Sequence, residues 1–182
     1  MTHVSEQLID DHAALDKVLK QLQAALRSND LEVAHTKLDL FWARLAVHIR
    51  AEHLHLFPAV LSSRETTNAS APSPDEAQMV VSELRRDHDF FMHELARAIE
   101  ITRELLTAAE RSIREEGLNN VKNIVLEVER RLLNHNEIEE NQLYRWATTL
   151  LNPEEQATLA NQVTAELRKH PQRFTPSTWL DE

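Results

Sequence analysis

The sequence HIRAEHLHLF at residues 48–57 and the sequence HNEIEENQLY at residues 135–144 follow one pattern. In each, a histidine is followed after four residues by a glutamate, and after four more by leucine and an aromatic residue. Because residues four apart on an α-helix point the same way, each segment places an imidazole beside a carboxylate. Both pairs fall within stripes of apolar residues, so we expect them to point into the interior of a helical protein.

A second pattern, also present twice, supplies one further histidine to each half of the chain. Residues 8–12 read LIDDH and residues 84–88 read LRRDH, and the closing histidine of each again lies on an apolar stripe. Each half therefore carries one histidine on its first helix and a His/Glu pair on its second. This repeat predicts two helical hairpins that face each other across a pseudo-twofold axis.

Helix signals extend over nearly the whole chain, and a single glycine argues against an all-β fold. Four long amphipathic segments with short links predict an all-α fold, an up-down-up-down four-helix bundle over about residues 5–150. A short fifth helix is expected over about residues 153–168, followed by an extended C-terminal tail at residues 169–182. We therefore expect a single domain that spans residues 1–182.

The expected links between the helices are marked by turn-forming residues. Asn29–Asp30 interrupts the first stripe, and residues 62–74 form a polar loop with two prolines. Pro58 should kink or end the second helix, and Gly117 marks a C-terminal stop after the third. If the histidines lie at one level of the bundle, however, the third link should fall near residue 111, midway between the histidines of the helices it joins.

Composition excludes several classes of protein. The 182 residues include no cysteine, which excludes disulfides, thiolate-bound iron–sulfur clusters and a cysteine nucleophile. The formal net charge of −10 argues against a nucleic acid or an anionic membrane as partner. No apolar run is long enough to span a membrane, and the acidic N-terminus lacks the apolar core of a signal peptide, so we expect a cytoplasmic location. A homo-oligomer is compatible with the sequence.

Six ionisable residues occupy positions where an apolar core belongs, and all four bundle helices contribute. Burying an unpaired charge is strongly unfavourable, so this group predicts bound cations that compensate it. Imidazole nitrogen and carboxylate oxygen suit iron, manganese or zinc, and a carboxylate can bridge two ions. The predicted metal ligands are His12, His48, Glu52, His88, His135 and Glu139.

Taken together, these motifs resemble the haemerythrin-like (HHE cation-binding) domain family. The resemblance covers roughly residues 5–150 and rests on D-H, H-x-x-x-E before L-F-P, a second D-H, and H-x-x-x-E-E-x-x-L-Y. It implies a non-haem centre of two iron ions, of the Fe–O–Fe type, with the six residues at ligand positions. The chain departs from oxygen-carrying haemerythrins at Met92, where these have a further histidine, and at Glu139, which follows its histidine after four residues rather than five.

The resemblance implies a protein that binds or reacts with a small ligand such as O2, NO or hydrogen peroxide, in oxygen handling or in oxidative or nitrosative stress. Two other functions stay open. One is storage or donation of iron, which includes the repair of iron centres, and the other is a metal-stabilised interaction module without chemistry. Manganese or zinc could take the place of iron.

Several residues beside the six have two interpretations. Asp11 and Asp87 are either hydrogen-bond acceptors for the ring N–H of a ligand or solvated acids. Met92 either walls an open coordination position or packs against a neighbouring helix. Tyr144 is expected to pack in the core rather than touch the site, and His55 is a weaker candidate for a residue that supports the ligands. The remaining histidines expected to face solvent are His3, His35, His93 and His170.

Overall fold

The structure of the protein is a computed structural model that describes residues 3–62, 71–175 and 179. Within these residues it contains helices and no strand, so the predicted all-α fold is confirmed. Its five helices, two of which are built from three consecutive segments, are α1 (Val4–Ser28), α2 (Leu31–Ala51, a π-helical turn Glu52–Leu56, then Phe57–Ser62), α3 (Pro74–Thr107), α4 (Arg111–Ile138, a π-helical turn Glu139–Leu143, then Tyr144–Leu150) and α5 (Pro153–Leu167). The helices α1 to α4 form the bundle, in which α1 packs along α2 and α3 along α4. Most of the predicted polar loop, residues 63–70, lies outside the described residues.

Side-chain caps fix where most of the helices begin. The backbone N–H of Val33 donates to the Asp30 carboxylate (3.1 Å), and Asn29 before it takes a left-handed conformation with φ of 55°. The hydroxyl of Ser73 accepts from the third residue of α3 (3.2 Å), and Asn152 caps α5 in the same way. These residue types satisfy the free N–H groups of a first helical turn. The first helix begins after His3, which stands at its N-cap position.

The third link lies at residues 108–110, close to the position expected from the histidine spacing. The prediction that Gly117 ends the third helix is wrong, because Gly117 lies inside α4. A Cβ at this position would come within 2.5 Å of the Leu105 side chain on α3. Gly117 therefore permits two helices to approach closely near their link, and its conformational freedom is not used.

Both π-helical turns lie directly after a predicted ligand pair. The backbone N–H of Phe57 donates to the carbonyl of Glu52, and that of Tyr144 donates to the carbonyl of Glu139, each across five residues. Pro58 neither ends the helix, which continues to Ser62, nor explains the turn, since α4 makes the same turn without a proline. Each turn widens the helix by one residue and changes which side chains beyond it face the interior.

Two hydrophobic clusters enclose the level of the bundle that carries the six ionisable residues. One extends toward the links at 29–30 and 108–110, and the other lies around the π-helical turns. The fifth helix covers the second cluster with Leu159 and Val163. In the tail, Phe174 and Trp179 are buried against the first cluster, so the tail packs on the bundle. None of the described helices is long and apolar enough to cross a bilayer.

Candidate metal centre

The structure brings the six predicted ligands together at one level of the bundle. Helices α1 and α3 each supply one histidine, and α2 and α4 each supply a histidine and a glutamate. Both glutamates are completely buried, and the four imidazoles are at most 7% exposed. Two overlapping groups of donor atoms converge here, Glu52, His88, His135 and Glu139 in one, and His12, His48 and Glu139 in the other.

The four imidazoles form two pairs whose Nε2 atoms face each other. The Nε2 atoms of His12 and His48 are 3.2 Å apart, and those of His88 and His135 are 3.0 Å apart. Two nitrogens bound at right angles to one ion, with bonds of roughly 2.1 Å, lie about 3.0 Å apart. Each pair therefore has the spacing of neighbouring ligands on a single ion.

Each glutamate extends one carboxylate oxygen toward each imidazole pair. In Glu139, Oε2 lies 3.3 Å from Nε2 of His12, and Oε1 lies 3.0 Å from Nε2 of His135. In Glu52, Oε1 lies 3.6 Å from Nε2 of His48, and Oε2 lies 3.4 Å from Nε2 of His88. Both carboxylates thus span the two pairs, as bridging ligands of two ions would.

Two of the four carboxylate oxygens lack hydrogen bonds within the described part of the chain, namely Oε2 of Glu52 and Oε1 of Glu139. Buried polar atoms without partners are rare in proteins and point to a missing ligand. Burial and the neighbouring Glu139 raise the pKa of Glu52. Burial also acts to raise the pKa of Glu139, but His135 and His12 outweigh it and hold that pKa well below its usual value. Cations between the carboxylates would satisfy both oxygens and relieve their repulsion, so the residues present fit a metal centre.

Two aspartates orient one imidazole in each pair. The Asp11 carboxylate lies 2.8 Å from Nδ1 of His48, and the Asp87 carboxylate lies 3.3 Å from Nδ1 of His135. Of the two interpretations of these aspartates, the structure supports that of acceptors, because an accepting carboxylate keeps the proton on Nδ1 and leaves Nε2 free. Arg131 holds the second carboxylate at 2.6 Å. Burial acts to lower the pKa of His135, but Glu139 and Asp87 outweigh it and raise that pKa to about 9.

The other two imidazoles have different partners, and this breaks the symmetry of the site. Nδ1 of His12 lies 2.9 Å from the Glu140 carboxylate, whereas Nδ1 of His88 lies 2.9 Å from Nε2 of His53. Burial is the main cause that lowers the pKa of His88 to about 2. The contact of His53 with His88 was not predicted from the sequence. The available signal was its position, since His53 directly follows Glu52 just as Glu140 directly follows Glu139.

Tyr144 touches the site, contrary to the expectation that it only packs. Its hydroxyl lies 3.1 Å from Oε1 of Glu52, 3.3 Å from Oε2 of Glu139 and 3.2 Å from Nε2 of His12. Burial and the two carboxylates raise the pKa of the phenol well above its usual value. The hydroxyl therefore stays protonated and donates a hydrogen bond to a carboxylate. The equivalent residue after the other π-helical turn is Phe57, whose ring stacks on His88 at 5.9 Å between centroids.

A cavity of about 430 Å3 reaches the site from the surface between α1 and α4. His12, His48 and His135 form its inner wall. The cavity therefore contacts both imidazoles of the first pair and one imidazole of the second. Leucines and carboxylates both line it, and the Glu140 carboxylate lies next to His12 at its inner wall. The cavity therefore reaches three of the four imidazoles of the site.

The remaining candidates lie away from the donor atoms. Met92 is half-buried and packs against the apolar cluster on the side of α2, where its carbonyl accepts from the Trp42 indole (3.3 Å). His55 lies 4.0 Å from Glu166 of α5 and therefore faces away from the predicted ligands. His35 does not simply face solvent, because its ring lies 2.8 Å from the Thr102 hydroxyl. The exposed histidines are His3, His93 and His170.

Comparison with known proteins gives one match. The family model of the Hemerythrin HHE cation binding domain matches residues 3–147 of the chain. Searches of curated proteins and of solved structures found no match. The matched segment contains all six residues that converge between the hairpins.

Proposed function

Because the chain belongs to the haemerythrin HHE cation-binding family, we propose that it holds two iron ions between its hairpins and binds or reacts with a small ligand there. The ligands of the metals are His12, His48, Glu52, His88, His135 and Glu139. The small ligand is O2, NO or hydrogen peroxide, and the resulting role lies in oxygen handling or in oxidative or nitrosative stress.

The observation that carries the proposal is the position of the two carboxylates across the two imidazole pairs. Glu139 has one oxygen near His12 and the other near His135, and Glu52 repeats this with the other two imidazoles. The four imidazole nitrogens and four carboxylate oxygens exceed the roughly six positions of an octahedral ion, so one ion cannot use them all. Two oxygens without hydrogen bonds support the same conclusion.

The bound metals would supply redox change and coordination positions for a small ligand. The chain supplies the rest of the chemistry. Asp11 and Asp87 keep the protons of His48 and His135 on Nδ1 and leave Nε2 for the metal. The Tyr144 hydroxyl holds a proton 3.2 Å from Nε2 of His12, one of the imidazoles that line the cavity. The equivalent position beside His88 holds Phe57, which has no hydroxyl, and His53 lies 2.9 Å from Nδ1 of that imidazole.

Metal analysis of protein purified without oxygen tests the proposal. We expect two ions per chain, mainly iron. Glu52→Gln removes an anionic bridging ligand with little change of shape, so it should lower the content of both ions together. His93→Ala, on the same helix as His88 but exposed, is the matched control and should leave the metal content unchanged.

A well-occupied preparation that holds one ion per chain would contradict the dinuclear centre. Zinc in place of iron, with no spectral response to O2 or NO, would contradict the proposed reactivity and favour a structural metal. Loss of metal from His93→Ala but not from Glu52→Gln would show that the wrong helix faces were assigned.

A further inference from the structure

The two halves of the chain can be compared position by position around the site. His12 and His88 are equivalent and differ by 76 in number, and His48 and His135 are equivalent and differ by 87. The groove between α1 and α4 in one half therefore corresponds to the groove between α3 and α2 in the other. If the halves were identical, both grooves would have the same lining and would be equally open.

The groove between α2 and α3 is closed by bulky apolar side chains. The indole Nε1 of Trp42 donates to the carbonyl of Met92 (3.3 Å), and both side chains pack against the hydrophobic cluster. Phe91 is completely buried beside them, and Ile49 is only 8% exposed. These four residues leave the imidazoles behind them covered.

The groove between α1 and α4 carries smaller or polar residues at the equivalent positions. Asp16 stands where the other groove has methionine, and Glu129 stands where it has tryptophan. Leu15 corresponds to the phenylalanine and Asn136 to the isoleucine. All four line the cavity that leads to His12. Carboxylates favour contact with water where the other groove has apolar side chains, and the cavity lies on this side.

The lining of this open groove is acidic along its length, since Glu137 is exposed at the surface and Glu140 lies 2.9 Å from Nδ1 of His12, and it also includes buried leucines. Carboxylates of Asp16, Glu129, Glu137 and Glu140 border the cavity, and neither lysine nor arginine lines it. Among the described residues, Lys20 pairs with Asp16, but no lysine or arginine pairs with Glu129 or Glu137. A narrow opening of one charge sign between walls of low dielectric constant favours ions of the opposite sign and slows ions of the same sign.

We infer that the groove between α1 and α4 is the passage to the metal site, and that its carboxylates admit uncharged gases and metal cations but retard anions. The equivalent groove is sealed by Trp42 and Met92. This specificity rests on the proposed function, but the passage itself is a property of the chain and can be tested without metal.

The first experiment uses metal-free protein and dissolved O2, a neutral paramagnetic gas. Relaxation of leucine methyl groups by O2, measured by NMR, should be at least about twofold greater for Leu15 and Leu45, which line the cavity and are each 2% exposed, than for Leu95 outside it, which is 0% exposed. The double variant Asp16→Met with Glu129→Trp gives this groove the residue types found at the equivalent positions of the closed groove. It should remove the difference. Equal relaxation of the three leucines in the wild-type chain would overturn the passage, whether or not the double variant folds.

The second experiment uses protein loaded with iron, and it tests the charge selectivity. Asp16→Asn with Glu129→Gln should raise the association rate of azide about three- to tenfold and leave that of NO unchanged. High salt should shrink the difference by screening. The matched control, Glu104→Gln with Glu116→Gln, removes the same charge from exposed positions away from the cavity and should change neither rate.

The two experiments separate the passage from the proposed function. If metal analysis shows that the chain binds no metal, but the leucines still differ in their relaxation by O2, the passage stands and the proposed centre is refuted. Loaded protein in which the cavity variants and the control give the same azide rate would overturn the selectivity and leave the metal centre in place.

Discussion

At the residue scale, the Tyr144 hydroxyl is the group that distinguishes one end of the site from the other. It is completely enclosed and donates to a carboxylate of the predicted ligands. Tyr144→Phe removes only this hydroxyl and leaves a buried acceptor without its donor. We expect the free energy of unfolding of the metal-free protein to fall by about 1–3 kcal/mol, measured by urea denaturation.

Phe41 provides the control for this measurement, since Phe41→Leu changes a fully buried ring that touches neither carboxylate. Its destabilisation should not depend on whether metal is bound. The cost of Tyr144→Phe should differ between metal-free and metal-loaded protein, because bound cations compensate the same carboxylates. Equal costs in both states would contradict the contact between the phenol and the ligands.

The contrast between the six ligand positions and Tyr144 shows what sequence spacing can reveal. Residues four apart share a face of a regular helix, so the His/Glu pairs could be predicted from spacing alone. Tyr144 lies five residues after Glu139, which on a regular helix of 3.6 residues per turn is about 140° around the axis. The π-helical turn between them brings both to the site, and nothing in the spacing reveals such a turn. His53 was missed because its partner lies on another helix.

At the scale of elements, the close approach of α3 and α4 near their link depends on Gly117. Alanine is a better helix former than glycine by about 1 kcal/mol, but its Cβ would overlap the Leu105 side chain, which is 4% exposed. We expect Gly117→Ala to destabilise the protein by about 1 kcal/mol, since overpacking costs more than the gain in propensity.

The background of Leu105→Ala tests the cause of this effect. With the leucine methyl groups removed, Gly117→Ala should stabilise the chain by about 1 kcal/mol relative to Leu105→Ala alone. The reversal of sign, measured by thermal or urea unfolding, identifies the contact between the helices as the cause. A destabilisation of the same size in both backgrounds would refute it.

The attachment of α5 to α2 depends on Glu166, whose side chain is buried and paired with Arg50 and Lys169. Burial acts to raise the pKa of Glu166, but the two cations outweigh it and lower that pKa below its usual value. A carboxyl with a lowered pKa in the folded state contributes stability above its unfolded pKa and loses it as the pH falls through the folded one.

Glu166→Gln should therefore lower the free energy of unfolding by about 1–3 kcal/mol at neutral pH. The difference from the wild type should close as the pH falls below 4.5, the ordinary pKa of the group. Glu83→Gln, at an exposed position on α3, is the control and should track the wild type at every pH. A gap for Glu166→Gln that persists in acid would contradict the ion pairs as its cause.

At the scale of the whole molecule, one layer of ionisable residues joins all four bundle helices, so we expect metal binding and folding to be coupled. Metal bound only to the native state stabilises it by mass action, by about 4 kcal/mol at a thousand times the dissociation constant. For a chain of this length, chelation should then lower the melting temperature by roughly 10 °C. The loss on chelation should shrink as the pH falls, because protons compete with metal for the imidazoles and the metal then contributes less stability.

The variant Glu52→Gln, with its metal site impaired, should show a smaller response to the chelator than the wild type, measured by calorimetry. A melting temperature that stays constant in the wild type after verified removal of metal would contradict the coupling.

Much of the overall architecture could be predicted because apolar stripes, caps and polar links all indicate the same bundle. The error at Gly117 has a physical reason, since a glycine serves either a helix end or a close approach and its sequence context does not distinguish them. The spacing of the histidines predicted the link between α3 and α4 more accurately, because His88 and His135 must lie at the same level of the bundle to share one site. The proposed passage could not be predicted, since it depends on which side chains of α1 and α4 the fold places along one groove.

The internal repeat has a consequence for how such a site can specialise. In a dimer of two identical hairpins, every residue occurs twice, so a mutation that opens one groove opens the other, and a mutation that seals one seals both. A single chain that carries both hairpins escapes this constraint, because each copy can change alone. Trp42 and Glu129, at equivalent positions, show such divergence. The six predicted ligands have kept their symmetry, whereas one of the two grooves beside them is filled by an indole and the other contains a cavity.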